Sequence, residues 1–177
     1  PAVLAWDYDG HRAVNQLALA SLPADFPDFV RTPEAQERIA FLAGEPDRWR
    51  NLPDPILRHV NSPDHFIDLE EAEDAGLTLS DISDFRYTFA VQLAAGRAAH
   101  PAKFPPVDPA KDKDHTRALI GFLPWTIAES YTKLKSEFSY LKAFEAHGSP
   151  EEIANARANI IHLMGVMGHY VGDAAQP

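Results

Sequence analysis

Three observations predict an all-α fold, a helical bundle. Ile120, Leu123, Ile127, Tyr131, Leu134, Phe138 and Leu141 recur every three or four residues, the stripe of one long amphipathic helix. Ser149-Pro150-Glu151-Glu152 is a capping box with proline in the first helical position, so a further helix opens near Pro150 and reaches about Asp173. No run alternates apolar and polar residues as a half-buried strand does, and no hairpin turn joins two such runs.

The elements follow in order. Asp9-Gly10 caps a helix from about His11 to Leu22, with Val14, Leu17 and Ala18 on one face. Pro23 and Pro27 bound a loop. Thr32-Pro33-Glu34 then reads as N-cap, first-turn proline and first-turn acid of a helix that runs to about Ala43 and is closed by Gly44. Four prolines between Glu45 and Asp64 limit that stretch to turns or single helical turns, and Ser62-Pro63-Asp64 opens a short element carrying His65. Phe85, Phe89 and Leu93 recur at i, i+4 and i+8, an amphipathic helix that fades near His100-Pro101. The proline-rich segment from His100 to Lys113 lacks periodicity and reads as an exposed loop, with Lys111-Asp112-Lys113-Asp114 as a solvated charge run. Pro124 marks a break or the first turn of the long helix, and Gly148 ends it.

Composition narrows the chemistry. The 177 residues are 45% apolar and 24% charged, ordinary for a globular chain, and suit one domain with a core of its own. No apolar run approaches the roughly 20 residues of a membrane span. A net charge of −10 with no Lys/Arg-rich tract lacks the electrostatic footprint of duplex binding. A bound divalent cation can still neutralise a phosphate locally. With no cysteine, disulfides and thiolate metal sites are both excluded, so any zinc must be held by His and carboxylate. Pro1-Ala2-Val3-Leu4-Ala5 reads equally as a signal-peptide remnant, cleaved after Ala5 to expose Trp6, or as a plain apolar arm.

The final helix carries the most chemistry. His169 and Asp173 stand at i and i+4, so both side chains leave one face a turn apart, a spacing that suits one metal ion or a surface hydrogen bond. Gly165, Gly168 and Gly172 form a neighbouring stripe, although each costs about 1 kcal/mol relative to alanine. Such a stripe admits a close-packed neighbour, with or without a metal. His162, one heptad before His169, reads as a supporting or core histidine rather than a ligand.

His169-Tyr-Val-Gly-Asp173-Ala-Ala-Gln176-Pro177 resembles the helix signature of the zinc-dependent phospholipase C and single-strand-specific nuclease superfamily, α-helical enzymes whose trinuclear zinc cluster hydrolyses phosphodiesters. Three further segments resemble it in the expected order: Trp6-Asp-Tyr-Asp-Gly-His11, Asp47-Arg-Trp-Arg50 and His65-Phe-Ile-Asp68. The resemblance implies a helical bundle of that type and a phosphodiesterase, nuclease or endonuclease activity. It implies one zinc site of Asp47, His65, His169 and Asp173, and a second of the Trp6 main chain, His11 and the far oxygen of Asp173. Asp47 would also orient the attacking water, with Asp54 and Asp64 as fallback candidates for its place. A secreted, periplasmic or extracellular location is implied as well.

The departures shape the expectation. The family adds a histidine and later ligands beyond the point matching Pro177, so residues 6–177 are expected to form one zinc-binding domain completed by a C-terminal segment or a second polypeptide. Residues from about 70 to 116 read as an insertion. Single-stranded nucleic acid and a phospholipid headgroup are both candidate substrates, and an inactive extracellular interaction module is the competing reading. Tyr87, Phe89, Trp125 and Tyr131 are available as a base-stacking platform but read first as core.

Overall fold

The computed structural model describes residues 7–175. The helices are α1 (Tyr8–Ala20), α2 (Pro33–Leu42), α3 (Glu45–Asn51), α4 (Pro55–Asn61), α5 (Leu69–Asp74), α6 (Arg86–Ala99), α7 (Leu123–His147) and α8 (Pro150–Ala174), with 3-10 turns at Asp28–Arg31, Ser62–His65 and Pro109–Lys111. No strand occurs among the described residues, so the fold is all-α. None of the described helices is long and apolar enough to cross a membrane. The chain forms two compact units, one of Pro1–Trp49 with Ile127–Pro177, the other of Arg50–Thr126.

In the first unit, α1, α2 and α8 pack on one another. Leu19, Val30 and Ile39 form one buried cluster, flanked by Phe26, Phe29 and Met164. Leu134 and Leu141 of α7 meet Ala156 and Ile160 of α8 in another. The cap expected at Ser149 forms in both directions: its hydroxyl accepts from Glu152 N at 3.2 Å, and its own N–H donates to Glu152 Oε2 at 2.8 Å. Ser149→Ala is therefore expected to lower stability by about 1 kcal/mol, a fall in Tm of roughly 2–4 °C in a thermal melt. Thr32 likewise caps α2, accepting from Ala35 N at 3.2 Å.

Three expectations for this unit need correction. The cap of α1 is Asp7, whose carboxylate accepts from Gly10 N at 3.0 Å, so the helix starts at Tyr8 rather than His11. Its inward face is also different: His11, Asn15 and Leu19 are buried, whereas Leu17 is 70% exposed. Apolar spacing selected Val14, Leu17 and Ala18, but a polar face whose hydrogen bonds are met inside can be buried instead. Tyr131, read as core, stands outward at 53% exposure.

The second unit has its own core of Ala72, Ala75, Phe89, Leu93, Ile120 and Trp125. Phe89 and Trp125 stack with centroids 4.3 Å apart, and the indole donates to Ser83 O at 3.0 Å. Tyr87, by contrast, is 84% exposed and is not core. Residues 70–116 fall within this unit and include α6, nearly all of α5 and a 3-10 turn. The charge run at 111–114 is not simply solvated. Asp112 is buried, accepting from Thr116 N at 2.9 Å and Arg117 N at 3.1 Å, and Asp114 pairs with Arg58 at 2.9 Å. These bonds supply the order that periodicity could not reveal.

Candidate metal centre

The three glycines of α8 explain how the first unit brings polar groups together. A Cβ at Gly165 would lie 2.5 Å from Leu42 Cβ and 3.0 Å from Ile39 O. At Gly168 it would overlap Asn15 Oδ1, and at Gly172 it would stand 3.1 Å from His11 Nδ1. The stripe is thus a trough that admits α2 at Gly165 and the inward side chains of α1 at Gly168 and Gly172. Asn15 locks it, donating from Nδ2 to Ile39 O at 3.0 Å and Gly165 O at 2.9 Å. One amide thereby ties α1 to both α2 and α8, and sets the height at which His11, one turn earlier, enters.

His11 and His169 meet as stacked rings, centroids 3.9 Å apart and 28° from parallel, with 1% and 0% exposure. His169 Nδ1 lies 2.7 Å from Ala43 O. A carbonyl only accepts, so Nδ1 carries the proton and, in the neutral ring, Nε2 carries the lone pair. This is how a metal-ligating histidine is usually oriented. The carbonyl belongs to the C-cap of α2, one of the groups a helix end leaves without an intrahelical partner.

Asp173 faces the Nε2 edges of both stacked rings. Its Oδ1 is 3.4 Å from His11 Nε2 and its Oδ2 is 3.2 Å from His169 Nε2, with the side chain 8% exposed. Both distances exceed the roughly 2.7–2.9 Å of a charge-assisted hydrogen bond. Each is close to the roughly 3.3–3.4 Å that separates two ligands of a tetrahedral ion with bonds near 2.0–2.1 Å, each through a different oxygen of Asp173. Asp47, in the first turn of α3, completes the group: His11, Asp47 and His169 each offer a ligand atom, all within 4.8 Å of one another. Two charged imidazoles at this spacing would repel, whereas two neutral rings can both direct a lone pair to one cation. The donor set, imidazole and carboxylate without thiolate, therefore fits a divalent metal ion.

Of the residues expected from the sequence, the first unit brings together His11, Asp47, His169 and Asp173. Trp6 lies outside the described residues, as do Pro1–Ala5, Gln176 and Pro177. His65 belongs to the second unit, buried at the end of the 3-10 turn Ser62–His65. The fallback candidates have structural partners there: Asp54 caps α4 through Leu57 N at 2.8 Å, and Asp64 pairs with Arg86 at 2.8 Å. His162 is corrected to an exposed residue, neither core nor support for the cluster. Sequence reasoning missed Asn15 and the Ala43 carbonyl. Asn15 had a signal, a polar side chain at i+4 from a candidate ligand. A main-chain carbonyl has none.

Fold and cluster together define an all-helical protein with a buried His/Asp group able to hold a metal ion. No family model, no curated protein and no solved structure matches the chain.

Proposed function

We propose that this chain is a zinc-dependent phosphodiester hydrolase of nuclease-like type, acting on single-stranded nucleic acid and exported from the cytoplasm. The observation that supports it most is the buried arrangement in which Asp173 offers one oxygen to each of two stacked imidazoles while His169 is oriented by Ala43 O. Two nitrogen donors favour zinc over magnesium or calcium, which take oxygen ligands. The four short motif resemblances, in order along the chain, connect such a centre with phosphodiester chemistry.

His11, Asp47, His169 and Asp173 would hold the ion, and the motif match adds His65 and Trp6 to the proposed ligands. Zinc, when bound, would polarise a phosphoryl oxygen and make water a stronger acid near neutral pH. The chain's own residues do the rest. The Ala43 carbonyl keeps the His169 proton on Nδ1, so Nε2 stays available as a donor of electrons. Asp173 supplies negative charge shared between the rings. Asp47 would accept a hydrogen bond from the attacking water and aim its oxygen at phosphorus.

The test is elemental analysis of purified chain, followed by hydrolysis of single-stranded DNA, bis(p-nitrophenyl) phosphate and phosphatidylcholine, with and without EDTA. Bound zinc and EDTA-sensitive cleavage of the first two substrates are expected. Preferential cleavage of phosphatidylcholine would move the protein to the phospholipase reading. A stable chain that binds no zinc and cleaves nothing would make it a structural module.

A further inference from the structure

The second unit carries a cleft of about 510 Å³ between α4 and the segment at 110–117. Arg58, Lys111, Lys113 and Arg117 line it, against one carboxylate, Asp114. In a chain of net charge −10 this is a local inversion of sign. The nearby acids are already engaged. Asp114 accepts from Arg58 Nε at 2.9 Å and Thr116 Oγ1 at 3.1 Å, and buried Asp112 accepts from the Thr116 and Arg117 main chain. Burial raises the Asp114 carboxyl, but the Arg58 and Thr116 hydrogen bonds outweigh it and hold the group below the ordinary carboxylate range. Lys111 has only a long contact, 3.9 Å, to exposed Asp108, and Lys113 is exposed. Arg117 is anchored by Nε to Lys111 O at 2.8 Å, which holds its guanidinium in place.

A second cleft, of about 370 Å³, shares Lys111 and Arg117 with the first; its own cations are paired with carboxylates of the same lining, Arg97 with Glu71 at 3.3 Å and Lys103 with Asp74 at 2.8 Å. The excess of positive charge therefore lies in the first cleft, where four cations along one lining suit a ligand of repeated negative charge better than a single phosphate. A lipid surface fits less well. The exposed apolar residues of α4, Ile56 and Val60, share a face by their i, i+4 spacing, and Arg58 between them points the other way. Cations and inserting side chains therefore do not share a plane.

We propose that this first cleft binds the phosphate backbone of single-stranded nucleic acid. The choice of polymer rests on the hydrolase reading above; the anion site itself does not. The test measures anisotropy of a fluorescein-labelled single-stranded oligonucleotide with the full chain in EDTA, across a salt series. Lys111→Ala/Lys113→Ala is expected to weaken binding roughly tenfold at low salt and to reduce the log–log salt slope by about 0.7 for each phosphate no longer neutralised. Lys113→Glu, a change at an exposed position, is expected to act in the same direction with an unchanged circular dichroism melt. Both variants should retain zinc content and cleavage of bis(p-nitrophenyl) phosphate. Unchanged oligonucleotide affinity overturns the proposal. So does a weakening seen only with phosphatidylserine vesicles, or with inorganic phosphate alone. If the variants bind oligonucleotide less tightly but no form of the protein holds zinc or cleaves phosphodiesters, the cleft stands and the hydrolase reading falls. Zinc-dependent cleavage with variant-insensitive oligonucleotide binding gives the opposite result.

Discussion

Asp173→Asn is expected to lower zinc affinity by more than about 100-fold, since even the partners behind a metal ligand are worth about 10- to 100-fold. The substitution keeps the shape and removes the charge that both imidazoles face. It also places an amide N–H where an oxygen stood, so that one ring's lone pair gains a hydrogen bond that competes with the ion. The measurement is zinc-dependent thermal stability. At 100 times its Kd, zinc stabilises a folded chain by about 2.7 kcal/mol, or about 5–10 °C in Tm at this length. The native protein should show this rise and Asp173→Asn little of it. His162→Ala is the control: His162 is exposed on a groove with Phe29 and Arg38, and the rise should persist. An equal fall in both variants would mean that the ligand face of α8 is wrongly assigned.

Gly168→Ala is expected to destabilise the protein by about 2 kcal/mol, a fall in Tm of roughly 4–8 °C. Helix propensity alone predicts the opposite sign, a gain of about 1 kcal/mol. The difference lies in the trough. The new Cβ would overlap Asn15 Oδ1, and Asn15 cannot swing aside without giving up its bonds to Ile39 O and Gly165 O. Each such bond is worth about 0.5–1.5 kcal/mol, more if a carbonyl is left buried without a partner. Asn15→Ala combined with Gly168→Ala should cost less than the sum of the two single changes, because the smaller side chain removes the overlap. A more stable Gly168→Ala protein would show that α1 does not approach α8 this closely. Zinc binding should weaken alongside stability, since Asn15 sets the entry of His11.

The two predictions separate what is local from what is not. The all-α class, the span of α8 and its capping box follow from residues a few positions apart. Ser149 and Glu152 need only each other, and Thr32 and Pro33 start α2 by themselves. That His169 and Asp173 leave one face is equally local, a consequence of 3.6 residues per turn. So is the reading that three glycines in α8 make room for a neighbour, although which neighbour is not.

What the tertiary structure alone decided depends on groups far apart in the chain. His169 takes its proton orientation from a carbonyl 126 residues away, and Asn15 joins main-chain groups 24 and 150 residues distant. No side-chain pattern marks a main-chain acceptor. The buried face of α1 went unrecognised for the same reason: hydropathy ranks Leu17 above Asn15, yet Asn15 has carbonyls to meet inside and Leu17 has no apolar pocket. Asp112 is a second case, turned from a surface charge into a loop anchor by two N–H groups four and five residues on. Periodicity reports which residues can share a face. Whether that face is buried depends on whether its polar groups find partners there, and those partners are brought together only by the packing of α1, α2 and α8.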